Sequence, residues 1–336
     1  MVFPMSLFPM RGDAGGRFAA HGAPPMENNM IVVSGEALMD VFAAENTPTG
    51  VMLDARIGGS PLNVAIGLAR LAQPVAFFGG VSGGFLGDRL MQALQTEAVD
   101  TACTVRVDAP ATLSLVGLDA HGVPSYAFYG EGAADRQLPL SALPLVPEAL
   151  AYHFGSYAMV VEPVATTQRA LVEREHRRAV IAYDPNIRLN VEPDLQRWRD
   201  TLAWMLPRTH ILKVSDEDLS LLYPGADAGQ LATAWIDQGV SLVVVTRGGE
   251  GAWAWTAAQH VATSPVQVDV IDTVGAGDTF QAAMLTALAE RDLLSPQALR
   301  SLPIAALREV LDFAGRAAAI TCSRRGADLP RRAEVD

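Results

Sequence analysis

Residues 272–280 read Asp-Thr-Val-Gly-Ala-Gly-Asp-Thr-Phe, and this stretch decides how the rest of the chain is interpreted. It follows a run over Val266 to Ile271 that predicts a strand, and it precedes a pattern over Gly277 to Glu290 that predicts a helix. Its two glycines let the backbone turn sharply and let a ligand approach closely. Backbone N–H groups at the start of such a helix point outwards and can bind an anion. After Gly275, the N–H groups of Ala276, Gly277 and Asp278 form this predicted anion site.

Asp278 lies in the first turn of the predicted helix, where the positive end of the helix dipole favours its ionised form. A carboxylate is unusual in a turn that only binds phosphate. It suits a base that takes a proton from an attacking hydroxyl while the turn holds a phosphoryl group. The alternative is an ordinary helix-capping turn with an aspartate in a favourable place. The residues alone leave both interpretations open.

Strands and helices alternate through most of the remaining chain. The predicted strands are Met30 to Ser34, Val75 to Phe78, Ala151 to Phe154, Ala179 to Tyr183, Ile211 to Val214 and Leu242 to Thr246. The predicted helices are Ser60 to Leu71, Phe85 to Ala98, Val164 to Arg177, Asp194 to Leu206, Ala228 to Gln238 and Ile304 to Cys322. Repeated β-α units predict an α/β fold with a mostly parallel sheet and helices on both faces. Ligands collect at the carboxyl ends of such strands, so we expect functional residues directly after strands.

Residues 101–129 interrupt this alternation. Three short strand-like runs occur there without a helix between them: Cys103 to Val107, Thr112 to Leu118 and Val123 to Tyr129. A turn at Asp119 to Gly122 joins the last two as a hairpin. We therefore predict a small antiparallel sheet inserted into the α/β domain.

A second glycine-rich helix entry lies at Gly58 to Asn63. Gly59 lets a ligand lie against the backbone, and the Asn63 amide offers a donor and an acceptor to sugar hydroxyls. We expect Ser60 to cap the helix that follows. An ordinary strand-to-helix turn explains the motif equally well.

Three further segments follow predicted strands or turns. Asp40 could accept hydrogen bonds from two hydroxyls, although a surface acid at a strand end is the simpler interpretation. Arg188 follows an Asp-Pro turn and could bind an anionic group. Residues Thr246 to Ala252 form a glycine-rich loop that suits close ligand approach, or else a hairpin turn.

The composition excludes several classes of function. The chain has 336 residues, half of them hydrophobic, and a formal net charge of −12. Such an acidic chain is poorly suited to bind nucleic acid or anionic lipid through its overall charge. Two cysteines and six scattered histidines offer no disulfide framework and no familiar metal spacing, which favours a reducing, intracellular setting. No apolar run is long enough to predict a membrane span.

Motifs that are missing from the sequence disfavour two further classes of enzyme. The chain has no G-x-x-x-x-G-K-[ST] segment and no G-x-G-x-x-G after the first strand, which disfavours a P-loop enzyme and a dinucleotide-binding dehydrogenase.

Residues 1–29 are rich in Met, Gly and Pro, and we predict a flexible extension there. The folded domain is expected over residues 30–336.

Taken together and in this order, these segments resemble the ribokinase-like, or PfkB-type, carbohydrate kinases. The resemblance runs from about Met30 to Gly326, and its most specific matches are Gly58 to Leu71 and Asp272 to Phe280. It implies a large α/β domain with a small β-sheet lid, formed here by about 41–53 and 103–130. It also implies ATP as phosphoryl donor and a sugar hydroxyl as acceptor. The composition separately predicts a cytoplasmic location and no nucleic-acid or membrane partner.

The resemblance implies a role for each candidate residue. Asp278 is similar to the catalytic base of the family. The implied anion hole consists of Gly275, Ala276 and Gly277. The implied sugar-binding residues are Asp40, Gly59, Asn63 and Arg188. The implied ATP-binding residues are Lys213, Thr246, Gly248 and Gly251.

The resemblance further implies Mg²⁺ beside ATP and, in many members, a monovalent cation such as K⁺. The family organises Mg²⁺ through water with an N-x-x-E segment, and here Ser215 and Asp218 occupy those positions. Asp218 keeps a carboxylate but is one methylene shorter, so we expect Mg²⁺ in altered surroundings. Asp272 and the stretch after Ala319 lie where the family binds the monovalent cation.

Within the family, the combination of motifs is most similar to bacterial fructokinases, which convert D-fructose to fructose 6-phosphate. The main alternative is a 2-keto-3-deoxygluconate kinase, in which Arg188 would face the substrate carboxylate. A third interpretation is a sugar- or nucleotide-binding regulator without turnover. The retained Asp278 argues against the regulator, and the altered Ser215 and Asp218 argue weakly for it. The edges of the lid sheet could pair with a second copy, so a homodimer through the lid is plausible.

Overall fold

A computed structural model of the chain describes residues 29–118 and 124–336. The predicted extension over residues 1–29 lies outside these ranges, apart from its last residue. The predicted hairpin turn at Asp119 to Gly122, and the first residue of the strand after it, also lie outside them.

Strands and helices follow one another much as the sequence predicts. The strands are β1 (Ile31–Ser34), β2 (Leu38–Thr47), β3 (Gly50–Gly58), β4 (Val75–Phe78), β5 (Gly80–Ser82), β6 (Val105–Val107), β7 (Leu113–Leu118), β8 (Pro124–Tyr129), β9 (Ala151–Gly155), β10 (Val180–Asp184), β11 (Ile211–Ser215), β12 (Leu242–Thr246), β13 (Ala252–Thr256) and β14 (Gln259–Thr263). The α-helices are α1 (Ser60–Arg70), α2 (Phe85–Thr96), α3 (Val164–Glu175), α4 (Leu195–Met205), α5 (Asp216–Leu222), α6 (Ala228–Asp237), α7 (Ala276–Ala289), α8 (Pro296–Arg300), α9 (Ile304–Cys322) and α10 (Arg332–Val335). None of the helices within the described ranges is long and apolar enough to cross a membrane.

Eight strands form a large sheet in the order β14-β13-β12-β11-β10-β9-β1-β4. The strands from β12 to β4 run parallel, and β13 and β14 extend the sheet in antiparallel fashion. This arrangement confirms the predicted α/β fold with a mostly parallel sheet. The carboxyl ends of the parallel strands share one edge, where the site is expected.

Helices cover both faces of the large sheet because successive strand residues point to opposite sides. Val33 and Val244 face one side, where they pack in a core with residues of α1, α7 and α9. Val32 and Val245 face the other side, in a core with residues of α3, α4 and α6. The first side matters for function, because α1 and α7 both start at the carboxyl edge of the sheet.

The lid sheet is a separate sheet of four strands in the order β3-β2-β7-β8. Its strands come from residues 38–58 and 113–129, so it differs from the expected lid bounds of 41–53 and 103–130. The lid sheet is mixed rather than antiparallel, because β2 and β7 run parallel. The predicted strand at Cys103 to Val107 does not belong to it, since β6 pairs in parallel with β5 instead.

The strand predicted over Val266 to Ile271 is wrong, because these residues form no regular element. Val270 and Ile271 are largely exposed. The N–H groups of Ile271 and Asp272 donate to the carbonyl oxygen of Cys322, over 2.8 and 3.2 Å. The extended segment therefore satisfies part of its backbone at the end of α9 and not in a sheet.

Candidate active site

Asp278 lies in the first turn of α7 and faces the first turn of α1. Ser60 Oγ donates to its Oδ1 over 2.6 Å, and Asn63 Nδ2 donates to its Oδ2 over 2.8 Å. Asp278 is only 8% exposed. Burial raises the pKa of its carboxyl, and the two hydrogen bonds and the nearby Lys213 ammonium oppose that rise. Both carboxylate oxygens are therefore held in place beside the start of α7.

Ser60 is not the helix cap that the sequence predicts. Gly59 occupies the capping position, with a φ of +106°. A Cβ on Gly59 would lie 2.8 Å from the backbone oxygen of Glu36, so the close approach requires glycine. The Ser60 hydroxyl is left to bind Asp278. Sequence reasoning missed this contact because serine at a helix start usually caps the helix.

The turn before α7 has the backbone conformation of an anion-binding site. Gly275 is left-handed, with a φ of +79°, and a Cβ there would lie 2.7 Å from the Ala327 side chain. The Ala276 N–H donates to a carbonyl within the turn over 3.2 Å. This leaves the N–H groups of Gly277 and Asp278 as candidate donors to a ligand. The predicted set of three amides is therefore reduced to two.

Asp40 lies on β2, in the lid sheet, next to Gly58 of β3. A Cβ on Gly58 would lie 2.2 Å from Asp40 Oδ2. The pKa of Asp40 is raised to about 6, mainly by burial and further by the charge of Asp278. A hydrogen bond from Ser114 and the charge of Arg188 oppose this rise. Because Arg188 and Asp278 both act on Asp40, the structure brings these three predicted site residues together.

Glu36 is a buried acid that the sequence analysis did not select. It follows β1 and is 1% exposed. Burial raises its pKa to about 8, a hydrogen bond from Ser156 lowers it, Asp135 raises it and Arg188 lowers it. Its Oε2 has no hydrogen-bond partner within the described part of the chain. Glu36 is therefore a neutral carboxyl close to Arg188. In the sequence, only its position directly after a predicted strand could have indicated a functional role.

A buried ion pair lies below the turn at the start of α7. Lys213 on β11 is 4% exposed, and its Nζ lies 2.7 Å from Asp184 Oδ2 at the end of β10. Burial lowers the pKa of Lys213, but attraction by Asp184, Asp278 and Asp218 brings it above the ordinary value. A Cβ on Gly277 would lie 3.1 Å from the Lys213 Nζ. The ammonium is therefore close to both the turn and Asp278.

The segment that replaces the family's N-x-x-E forms a helix cap. Ser215 Oγ accepts a hydrogen bond from the Asp218 N–H over 3.0 Å at the start of α5. Asp218 is buried, and its Oδ1 accepts the N–H of Ile187 over 3.1 Å. Burial raises the pKa of Asp218, and repulsion by Asp184 adds to the rise. No group of three His, Cys, Asp or Glu side chains in residues 29–118 and 124–336 could hold a metal directly.

The predicted ATP loop follows β12 at the same edge of the sheet. Thr246 ends β12 opposite Ser215 of β11. Gly248 and Gly251 have φ values of +49° and +87°. Since β12 and β13 run antiparallel, the loop is also the hairpin turn that the sequence allowed. The loop is connected with the rest of the site by the pairing of β12 with β11, the strand that carries Lys213 and Ser215.

Asp272 joins the turn before α7 to the segment after α9. Its Oδ1 accepts the Val274 N–H over 3.0 Å, and its Oδ2 accepts the Gly326 N–H over 2.8 Å. The carboxylate therefore lies between the two stretches that the family resemblance connects with a monovalent cation.

Known proteins resemble this chain in sequence and in fold. The family model described as pfkB family carbohydrate kinase matches residues 28–333. The chain is 37% identical over 304 residues to a fructokinase from Rhizobium leguminosarum bv. trifolii, covering 90% of this chain and 91% of that protein. The structure of a fructokinase with bound ATP from Xylella fastidiosa has a TM-score of 0.82 and 27% identity, covering 92% of this chain and 97% of that one. A double mutant of the fructokinase from Vibrio cholerae O395, with fructose, ADP and potassium ion bound, has a TM-score of 0.79 and 26% identity, covering 92% and 97%.

Proposed function

This chain belongs to the pfkB family of carbohydrate kinases, and we propose that the sugar it phosphorylates is D-fructose, at the primary hydroxyl that gives fructose 6-phosphate. The chain is an ATP-dependent phosphotransferase that acts on a sugar hydroxyl. One observation carries the proposed chemistry: the Asp278 carboxylate is fixed by Ser60 and Asn63 at the turn before α7. Fructose is favoured because relatives that match most of the chain are fructokinases.

Asp278 is the base in this proposal. Each of its oxygens accepts one hydrogen bond and keeps a lone pair, which can take the proton of the sugar hydroxyl. The sugar oxygen then bonds to the γ-phosphorus while the bond from that phosphorus to the bridging oxygen of ADP breaks. The N–H groups of Gly277 and Asp278, which the Gly275-Ala276-Gly277 turn holds in place, receive the charge of the transferred group.

Asp40, Gly59 and Asn63 form the sugar side of the proposed site, together with Arg188. The charges around Arg188 favour a neutral sugar over an acid sugar. Arg188 is already attracted by Asp40, and the Asp278 charge also acts on Asp40. The carboxylate of 2-keto-3-deoxygluconate would add a further negative charge to this group. We therefore place fructose ahead of that alternative.

ATP binds, in this proposal, at the loop that contains Thr246, Gly248 and Gly251, with Lys213 near its phosphoryl end. Mg²⁺ is expected beside Asp218, through water, because Mg²⁺ prefers oxygen ligands and keeps several waters. The buried Asp218 carboxylate fits that role, since it already feels the repulsion of Asp184, and a divalent cation would relieve this repulsion. When bound, Mg²⁺ would neutralise charge on the phosphates.

A monovalent cation is proposed beside Asp272. The Asp272 carboxylate is an oxygen donor between two loops, and the Vibrio cholerae fructokinase structure contains a potassium ion. K⁺ at this place would stabilise the turn before α7. A dependence of activity on K⁺ over Na⁺ would support this assignment.

We also propose a cytoplasmic homodimer that forms through the lid. The outer strands β3 and β8 of the lid sheet end it on either side, so their edges can pair with another strand. Val51, Met52 and Leu53 on β3 are 50%, 55% and 52% exposed, which supports burial against a second lid. The two cysteines are free thiols, as is typical of a reducing compartment. Sedimentation of the wild type and of Met52→Lys would test the dimer.

The sugar is tested by measuring ADP release from ATP and Mg²⁺ with fructose and with 2-keto-3-deoxygluconate. We expect kcat/KM to be at least about 100-fold higher for fructose, which corresponds to about 2.7 kcal/mol of transition-state discrimination. The Asp278→Asn variant should lose several orders of magnitude in kcat while it still binds ATP. A preference for the acid sugar would refute the fructose assignment. Sugar and nucleotide binding without ADP release would favour the regulator.

A further inference from the structure

The Lys213–Asp184 pair lies in an unexpected place. Lys213 is the only lysine of the chain. On β11 it points to the same face as Ile211, the face where α7 packs. Burying a charged pair costs desolvation that the attraction between the two charges often fails to recover. Structure alone therefore gives little reason to keep a lysine here.

The groups around Lys213 suggest what it does. Four elements present titratable groups to its ammonium: Asp184 from β10, Asp278 from α7, Asp218 from α5 and His153 from β9. Burial and the Lys213 charge lower the pKa of His153 to about 3, so this side chain is neutral. The ammonium is thus the one positive charge among three carboxylates in this described cluster. Its ion-pair partner is Asp184, at 2.7 Å.

The position of the ammonium relative to the turn is the second observation. The Lys213 Nζ would lie only 3.1 Å from a Cβ on Gly277, so it is directly beneath the peptide that carries the candidate amide donors. The next residue along the chain is Asp278. A positive charge at this place attracts the carboxylate and supports the turn at the same time.

We propose that Lys213 is a positioning residue for phosphoryl transfer, which from beneath the turn stabilises the charged form of Asp278 and keeps the Gly277 amide directed at the transferred group. This inference rests on the proposed function and assigns to Lys213 a task beyond pairing with Asp184. The neutral partners of Asp278, Ser60 and Asn63, hold its two oxygens by hydrogen bonds.

The test compares three variants of the full chain: Lys213→Met, Lys213→Arg and the double variant Lys213→Met/Asp184→Asn. We measure kcat for fructose phosphorylation from pH 5.5 to 9.5. Loss of the ammonium disfavours the charged form of Asp278, so in Lys213→Met the acidic limb of kcat should move up by about one pH unit, a tenfold loss on that limb. Lys213→Arg should keep the limb close to that of the wild type.

The double variant separates positioning from simple neutralisation of Asp184, because it removes both charges of the pair. Asp184 repels the charged form of Asp278, so loss of its charge should return the acidic limb part of the way toward that of the wild type. Because the Gly277 amide also loses its support, kcat above the limb should stay below the wild-type value. Recovery of the wild-type limb and kcat in the double variant would overturn the proposal, since Lys213 would then serve only Asp184. A lower kcat in Lys213→Met with an unmoved limb would overturn it as well.

A second measurement needs no substrate and no folded Lys213 variant. Because the chain has a single lysine, growth with ¹⁵N-lysine gives one side-chain Nζ resonance. We expect this resonance to shift in Asp278→Asn and to stay in place in Asp237→Asn, a substitution at an exposed position of α6. An unchanged resonance in Asp278→Asn would refute the coupling. Failure of the wild type to phosphorylate fructose would refute the proposed sugar and leave this comparison intact.

Discussion

Replacing Ser60 with alanine removes the 2.6 Å hydrogen bond from its hydroxyl to Asp278 Oδ1. A hydrogen bond to a charged group contributes about 1.5–3 kcal/mol. Because this bond lowers the pKa of Asp278, its loss raises that pKa further. About 1.4 kcal/mol corresponds to one pH unit, so the acidic limb of kcat/KM should move upward by about one to two units. Above that limb, where Asp278 is ionised in both proteins, activity should differ much less.

The assay follows ADP release with fructose from pH 5 to 9, because the pH dependence of kcat/KM reports groups of the free enzyme. The matched control is Ser82→Ala, which removes a partly buried 2.7 Å hydrogen bond from a hydroxyl to the carbonyl of Ala109, together with a 3.2 Å hydrogen bond that this hydroxyl accepts from the Gly84 N–H, away from α7. Circular dichroism checks that both variants fold. An acidic limb that stays in place in Ser60→Ala, or that moves equally in the control, would refute the assignment of Ser60 as the partner of the base.

Three further substitutions test other parts of the site. Folding favours the neutral form of Glu36, so its contribution to the free energy of unfolding is full below the ordinary pKa of 4.5 and is lost as pH rises through about 8. The glutamine side chain does not ionise, so in urea unfolding the free energy of unfolding of Glu36→Gln should rise by about 3 kcal/mol relative to that of the wild type between pH 5.5 and 8.5. Gly275→Ala should lower kcat at least about tenfold, whereas Gly225→Ala, with a similar φ of +75° but no atom within 4 Å of its Cβ, should cost only about 1 kcal/mol of stability. Gly58→Ala should raise the KM for fructose more than the KM for ATP, because its Cβ would displace the carboxylate of Asp40; equal changes in both KM values would contradict a sugar-binding role.

The fold was predictable because its strands are short apolar runs and its helices carry clear periodic patterns. Helix α9 shows this best, since its predicted bounds agree with Ile304–Cys322. The run at Val266 to Ile271 misled the prediction, because its composition suits a strand while its backbone finds a partner at the end of α9. Local composition does not reveal which partner a backbone will find.

The turn from Gly275 to Asp278 was predictable, because a single local motif specifies its backbone and the helix start that follows. The side-chain contacts were not. Ser60 and Asp278 are 218 residues apart, and their contact depends on how α1 and α7 pack. The pair between Lys213 and Asp184 depends on the neighbouring positions of β10 and β11, which no local pattern specifies. Helix packing and strand order are properties of the whole chain.

The lid sheet is connected through very little chain to α1, the helix whose Ser60 and Asn63 donate hydrogen bonds to Asp278. Strand β3 ends at Gly58 and α1 starts at Ser60, so Gly59 alone separates them. In the proposed mechanism, a movement of the lid sheet would therefore shift the Ser60 hydroxyl that binds Asp278. Binding of a sugar beneath the lid sheet would then also orient Asp278, the proposed base. Without a sugar, Asp278 would not be oriented, and the hydrolysis of ATP by water would stay slow.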